Sequence, residues 1–518
     1  MPINLVTTNS LDRGFEIGLG ETTIVTDSTV VAHDDGSEFF TERGHAQTTL
    51  LNYGSIIGLD APTVVLNGQH QTVINHGDMS YTHVTGFPNA IFLARNNSGN
   101  DFRFAGSVTI ENTGALSSAT RILDFSRTDI PVDVDLFNSG TIRNSPNWDM
   151  FSLTENVRDF TLYNSGQIFG GGVRLSESSV VRISNHGEMD IFFLDIGAES
   201  SSRLYNYGTI TVLSGNVQGG QGSDTIVNSG TIRTTRFDTL EGDDKFNNSG
   251  EYFGFLNMGG GDDKLVNSGD ISEGIGTGAG ADTVVNLGAI IGGVVLGYGN
   301  DTFKMAGNGF VNDVIYGEGG DDTIIGGLFD DTMDGGADDD FLIGKYGNDN
   351  LTGGSGNDTV AGDDGADVLF GGDDNDRLSG GRNDDHLNGG QDNDVLLGGS
   401  GNDTLVGENG RDVHTGGAGE DNFVFSNLSH SAVGRDRDVI RDFTQGEDVI
   451  DLSGFFGVEF VFLGDDAFNG ISGNAEVQVV ANAAGHSVIR IDANGGGKAE
   501  SEILVRGVTG LEAEDFLL

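Results

Sequence analysis

Aspartate recurs at Asp322, Asp331, Asp340, Asp349, Asp358, Asp367, Asp376, Asp385, Asp394, Asp403, Asp412 and Asp421, one every nine residues without a slip. Two residues after each stands an apolar side chain (Ile324, Met333, Leu342, Leu351, Val360, Leu369, Leu378, Leu387, Leu396, Leu405 and Phe423), with His414 the one departure. Glycine usually fills the first, second and fourth places of the nonamer, as in GGSGNDTVA from Gly353 and GGSGNDTLV from Gly398. A flexible linker would not keep this beat, and an acidic tail would not need the aliphatics. Repeats this short and regular point to a β-solenoid, in which each coil stacks on the last.

Two nonamers per coil would place alternate aspartates above one another, giving one column from Asp322 to Asp412 and another from Asp331 to Asp421. Adjacent strands lie ~4.8 Å apart. Like charges at that spacing repel by roughly 1 kcal/mol per pair even at the dielectric of bulk water. A hard cation that takes six or more oxygens removes the conflict, and Ca²⁺ accepts carboxylates together with backbone carbonyls. Glycine lets those carbonyls turn inward because it tolerates positive φ. Mg²⁺ holds its waters in a strict octahedron and fits worse. Zinc and copper want His or Cys, which these turns almost lack.

A second repeat precedes the first. Asn-x-Gly recurs at Asn52, Asn75, Asn112, Asn138, Asn164, Asn185, Asn206, Asn228, Asn248, Asn267 and Asn286, at intervals of 21, 21, 22, 20, 19 and 19 from Asn164 onward. An apolar residue stands two places before each Asn and another four places after, as Leu162 and Ile168 do around Asn164. Shared parity puts these positions on one face of a strand. A period near 20 suits one coil of a parallel β-helix, with aliphatics stacked inside and asparagines forming an amide ladder. Glycine follows because the chain turns there. From Gly219 the coils also carry Gly/Asp turns, at Asp224, Asp244, Asp263, Asp282 and Asp301.

Composition narrows the partners. Asp+Glu number 79 against 26 Lys+Arg, for a formal net charge of -53. Such a surface attracts cations and does not offer the clustered Lys/Arg that nucleic acid requires. The absence of cysteine excludes disulfides and thiolate metal sites. No run of 18 apolar residues occurs, so no transmembrane segment is expected. The first twenty residues lack the basic and apolar regions of a secretory signal.

The nonamers resemble the GGxGxDxUx repeat of the RTX (hemolysin-type calcium-binding) family of secreted proteins. That resemblance implies a Ca²⁺-binding turn of six residues followed by a three-residue strand, with two nonamers per coil of a parallel β-roll. DRDVIRDFTQGEDVIDLSGF (Asp436 to Phe455) and the tail LVRGVTGLEAEDFLL resemble the C-terminal module of serralysin-type members. In that group the C-terminus carries an uncleaved signal for type I secretion. The resemblance covers roughly residues 219–518.

The expected fold is all-β: a parallel β-helix solenoid continuing into an RTX β-roll, then a β-rich C-terminal capping and secretion module. The expected boundaries are an N-terminal cap (1–45), Asn-x-Gly coils (46–218), transitional coils (219–310), the β-roll (311–425) and the C-terminal module (426–518). The expected Ca²⁺ ligands are the nonamer aspartates together with Asp224 and Asp301. Departures from the motif at Phe329, Asp338 and Arg411 weaken individual turns.

The expected role is that of a secreted Ca²⁺-dependent adhesion or matrix protein, with the type I secretion apparatus and a polysaccharide or cell-surface ligand as partners. No HExxH, GxSxG or P-loop is present. The alternative is a carbohydrate-active enzyme (a polysaccharide lyase, glycosidase or epimerase) with its site on the β-helix. Its acid/base strip would draw on Asp124, Arg127, Asp129, Trp148, Asp149, Arg158, Asp159 and Arg174. A column of Arg182, Arg203, Thr225, Lys245 and Lys264, three places before successive asparagines, reads either as a solvated face or as a strip for anionic glycans.

Overall fold

The computed structural model describes residues 47–518 apart from 54, 60–63, 67–69, 83–89, 95–105, 120, 125–131, 146–148, 153–156, 176–179, 198–200, 456–459 and 469–474. Before these it describes the backbone of short strands between residues 3 and 42. The side chains of the expected cap, 1–45, lie outside the described residues. The chain divides into two compact units, 1–277 and 278–518. Among the described residues neither has an α-helix, and the helical content is two single 3₁₀ turns, Leu428–His430 and Ala513–Asp515.

The first unit is a parallel β-solenoid with three strand segments per coil. Val157–Asn164, Gln167–Phe169 and Gly172–Arg174 make one coil, and Val180–Asn185, Glu188–Ile191 and Leu194–Asp195 make the next. The register is in phase: Leu162 lies on Ile183, Asn164 on Asn185, Ile168 on Met189 and Val173 on Leu194. Inward and outward residues alternate, so Val181, Ile183 and Asn185 share the buried face. The residues two places before Asn (Leu136, Leu162, Ile183, Leu204, Ile226) and four places after (Ile142, Ile168, Met189, Ile210, Ile232) are all buried.

Within this core the asparagines form an unbroken amide ladder. Each Nδ2 donates to the Oδ1 of the next, from Asn52 to Asn267, at 2.7–2.9 Å. The second Nδ2 hydrogen reaches a backbone carbonyl, as Asn185 does to Thr209 at 3.0 Å. The glycine two places on is required for a different reason from the one its position suggests. Gly166, Gly187 and Gly208 do not adopt left-handed φ. A Cβ on each would instead strike the carbonyl oxygen of the matching glycine one coil earlier.

The second unit holds the nonamer coils. Phe341–Tyr346, Thr359–Asp364, Arg377–Arg382, Val395–Ser400 and Val413–Ala418 pair in parallel along one face. Thr332–Ala337, Asn350–Ser355, Val368–Asp373, His386–Gln391 and Thr404–Asn409 pair along the other. Partners are eighteen residues apart, as Leu342 on Val360 and Leu351 on Leu369 show. The last coils are covered: Asp438–Ile440 pairs with Val413–Ala418, and Val449–Asp451 pairs with Asn422–Val424. Ser501–Val505 and Phe516–Leu517 then pair onto those two strands. An antiparallel meander, Ala475–Ala481 with Ser487–Asp492 and Ser501–Val505, completes the C-terminal module.

Asn185→Ala removes one rung from the middle of the ladder, stranding the Asn164 amide hydrogen and the Asn206 Oδ1 that it bridges. The expected loss is about 3 kcal/mol, read as a lower guanidinium midpoint of the first unit, with the calcium requirement of the second unchanged.

Candidate metal sites

Most nonamers turn on two left-handed positions, in the second and fourth places. In the turn preceding Asp358 these are Gly354 (φ 123) and Gly356 (φ 126). Where the motif loses glycine the backbone keeps the conformation at Glu318, Lys345, Asp363 and Glu408 in the second place and at Asp338, Asp374, Asn383 and Asp392 in the fourth, with Phe329 the exception. The first glycine serves space instead. A Cβ on Gly335, Gly344, Gly353, Gly362, Gly371, Gly380, Gly389, Gly398, Gly407 or Gly416 would overlap the Oδ2 of the aspartate five residues on.

The aspartates stack in the two expected columns. The backbone N–H of Asp322 donates to Asp340 Oδ1 at 2.8 Å, Asp340 to Asp358, Asp358 to Asp376 and Asp376 to Asp394 in the same way. Asp331, Asp349, Asp367, Asp385 and Asp403 repeat the pattern in the other column. Oδ1 is therefore satisfied and Oδ2 is not. The Oδ2 atoms of Asp322, Asp340, Asp349, Asp358, Asp367, Asp376, Asp385, Asp394, Asp403, Asp412 and Asp421 are buried with no hydrogen-bond partner. Asp244 and Asp301 share that state.

Two of the expected ligands differ. Asp331 Oδ2 accepts the Gly327 N–H at 2.8 Å, and Asp224 Oδ2 accepts the Gly220 N–H at 2.9 Å. Asp224 Oδ1 also accepts from the Ser202 N–H and hydroxyl, at 2.7 and 2.6 Å. Both carboxylates are closed by protein donors. The cause at Asp331 is visible in the sequence: Phe329 stands where glycine should, and neither Gly327 nor Phe329 is left-handed.

Both columns extend one rung beyond the nonamers. Asp412 N–H donates to Asp438 Oδ1 at 2.9 Å, and Asp421 N–H donates to Asp448 Oδ1 at 3.1 Å. Sequence reasoning missed these rungs because intervals of 26 and 27 residues break the nine-residue beat.

Burial is the leading influence on these carboxyls and raises their pKa. Neighbouring aspartates add to it and the backbone N–H opposes it. Asp340, Asp385 and Asp394 are pushed up to about 8, and Asp349 and Asp376 to about 7. A row of buried, unpartnered oxygens, each facing a cradle that a Cβ would fill, is the donor set a hard cation requires. The residues fit Ca²⁺.

The comparisons agree. Residues 312–333, 334–369, 361–396, 370–405 and 388–423 match the family model described as RTX calcium-binding nonapeptide repeat (4 copies). Repeats of this kind bind multiple Ca²⁺ ions, so the stretch 312–423 is a calcium-binding RTX β-roll. No curated protein matches the chain.

The residues weighed for catalysis are paired with oppositely charged neighbours where they are described. Arg158 forms a two-pronged pair with Asp133 on the adjacent coil. Arg174 reaches Asp149 at 3.3 Å and Asp195 at 3.8 Å, and lies over the Phe193 ring. Arg182 faces Asp159 at 3.8 Å. Arg127, Asp129, Trp148 and the Asp124 side chain lie outside the described residues. The cationic column is real as geometry, since Arg182, Arg203, Thr225, Lys245 and Lys264 are successive register partners. The signal that sequence reading missed is stacking of arginine on phenylalanine in the neighbouring coil, as Arg143 on Phe169 and Arg233 on Phe253.

Two outcomes follow for the carboxylate rows. Their raised pKa values mean that metal-free stability is present below the ordinary carboxylate range near pH 4 and is lost as pH rises through about 6–8. In chelator, the β-roll signal in circular dichroism should therefore grow between pH 8 and pH 5, while the calcium midpoint should rise over the same span because protons compete for Oδ2. Gly353→Ala should raise the calcium midpoint with every carboxylate intact, because its Cβ occupies the space in front of Asp358 Oδ2.

Proposed function

We propose that the chain is an exported calcium-binding protein whose β-helix presents a surface for adhesion or matrix contact. The observation that carries this reading is the row of buried Oδ2 atoms without donors. In it Asp322, Asp340, Asp349, Asp358, Asp367, Asp376, Asp385, Asp394, Asp403, Asp412 and Asp421, with Asp301, hold the ions. In this reading 311–425 is the folding switch and 426–518 the module addressed to a type I secretion apparatus. Where Ca²⁺ is scarce the charged rows stay unfolded and threadable. Where it is abundant, ions bind the folded coils alone and draw folding forward by mass action. The habit of RTX-repeat proteins, which are typically secreted, supports that order of events.

The β-helix side of the reading rests on chemistry at its surface. Arg182, with Asp159 beside it, lies directly on Arg203, and Lys245 lies on Lys264, placing like charges opposite one another. An acidic polysaccharide would neutralise such a column. The described arginines and aspartates near it pair with each other, which favours binding over turnover.

Binding of alginate and pectin in calcium buffer tests this. Arg203→Glu with Lys245→Glu should weaken retention at least tenfold, with no new unsaturated ends in the glycan. Unchanged retention would remove the cationic column from the reading, and turnover would replace it with the lyase, glycosidase or epimerase. Asp358→Ala with Asp376→Ala should raise the calcium needed for folding, and an unchanged midpoint would count against the ion rows.

A further inference from the structure

The nonamer rule puts an aliphatic residue two places after each aspartate, and His414 breaks it. Its register partners are Leu396 on one side and Ile440 on the other, so an imidazole occupies a rung of the aliphatic ladder. It is fully buried, against the edges of Phe423 and Phe425. Neither ring nitrogen has a hydrogen-bond partner. An unmet buried polar atom costs about 1–3 kcal/mol, and leucine at this position would carry no such cost.

The same place is where the first aspartate column ends. At Asp331, Asp448 and Asp224 the free oxygen is closed by the N–H four residues earlier, from Gly327, Thr444 and Gly220. Asp438 has no such closure, because the Gly434 N–H goes to Glu502 instead, at 3.2 Å. Ser431 does not supply it either: its hydroxyl donates to the Glu502 carbonyl at 2.7 Å and accepts the Asp438 N–H at 2.8 Å. Asp438 Oδ2 and Asp412 Oδ2 are left buried and unpartnered. One ligand atom from each of Asp412, His414 and Asp438 lies within 4.8 Å of the others.

We propose that Asp412, His414 and Asp438 form a metal site of a second class, for a borderline divalent cation such as Zn²⁺, where the β-roll meets its C-terminal module. A nitrogen donor with two carboxylates suits Zn²⁺ far better than Ca²⁺, which takes oxygen ligands. Neither ring nitrogen of the buried imidazole is engaged by a protein group, so one is free to face a metal. The site ties the last nonamer strand of its face, Val413–Ala418, to the first strand beyond the nonamers, Asp438–Ile440.

The test uses the full chain saturated with Ca²⁺, so that the rest of the carboxylate rows is filled and Zn²⁺ competes with Ca²⁺ at Asp412 alone. Zn²⁺ is titrated by calorimetry and Co²⁺ by visible absorption. The chain should bind one more equivalent of Zn²⁺ than His414→Leu, which restores the aliphatic of the repeat, and one more than Asp438→Asn. The Co²⁺ spectrum of a nitrogen-containing site should be lost in both variants. Equal Zn²⁺ uptake by the chain and His414→Leu would overturn the proposal, leaving His414 as a core residue met by water. A loss confined to Asp438→Asn would overturn it as well. Should Asp438→Asn not fold, the leucine variant decides alone.

Discussion

A carboxylate has two oxygens, and the fold of the second unit satisfies one of them. The backbone N–H of each rung goes to the Oδ1 of the rung one coil on, which fixes the side chain's direction and turns Oδ2 into a buried space framed by glycine. Everything else about the nonamer follows from keeping that oxygen in place. The first glycine leaves room beside it, the left-handed pair bends the chain around it, and the aliphatic two residues later anchors the strand in the core. A protein donor at that oxygen closes the site, as the Gly327 N–H does at Asp331. The motif is thus a device for withholding a hydrogen bond from a buried anion, and only an external cation makes the arrangement favourable at neutral pH.

The asparagine ladder of the first unit solves the same geometric problem with the opposite result. A column of polar rungs runs through a stack of coils, but each amide has both a donor and an acceptor. Asn164 gives to Asn185 and Asn185 gives to Asn206, so the column satisfies itself with no ion. Replacing NH₂ by O⁻ at an equivalent kind of position removes the donor and adds a charge. In the reading proposed above, the distinction between a solenoid that stands by itself and one that waits for calcium comes down to that exchange, Asn for Asp, at the turn.

Periodicity makes most of this legible in the amino-acid sequence. The nine-residue beat fixes the spacing of the aspartates and the buried aliphatics, and the two nonamers per coil that the RTX resemblance implies turn that spacing into two columns and an eighteen-residue coil. The Asn-x-Gly spacing does the same for the first unit. What periodicity hides is everything that depends on where a hydrogen goes. Nothing in the spacing tells that Asp331 and Asp224 are closed by an N–H four residues earlier, although Phe329 in the fourth place marks one of them. Asp438 and Asp448 join the columns through loops that destroy the beat. The glycines after the asparagines prove to be fixed by the approach of the neighbouring coil's carbonyl, a contact between residues 19 to 37 apart that a turn rule does not contain.

The direction of the aspartate hydrogen bonds also orders the second unit. Every rung's carboxylate is aimed by an N–H from the coil before it, so the last acceptors of the two columns, Asp438 and Asp448, belong to the C-terminal module and not to a nonamer. That module holds its strands through an antiparallel meander and through pairings that involve no carboxylate row. It therefore presents an edge with two acceptors in register for the N–H groups of Asp412 and Asp421. In a stack whose coils contact only their neighbours, stability spreads from the first interface that stands alone. In the folding order proposed above, that interface is the C-terminal edge, and calcium would extend it coil by coil from there.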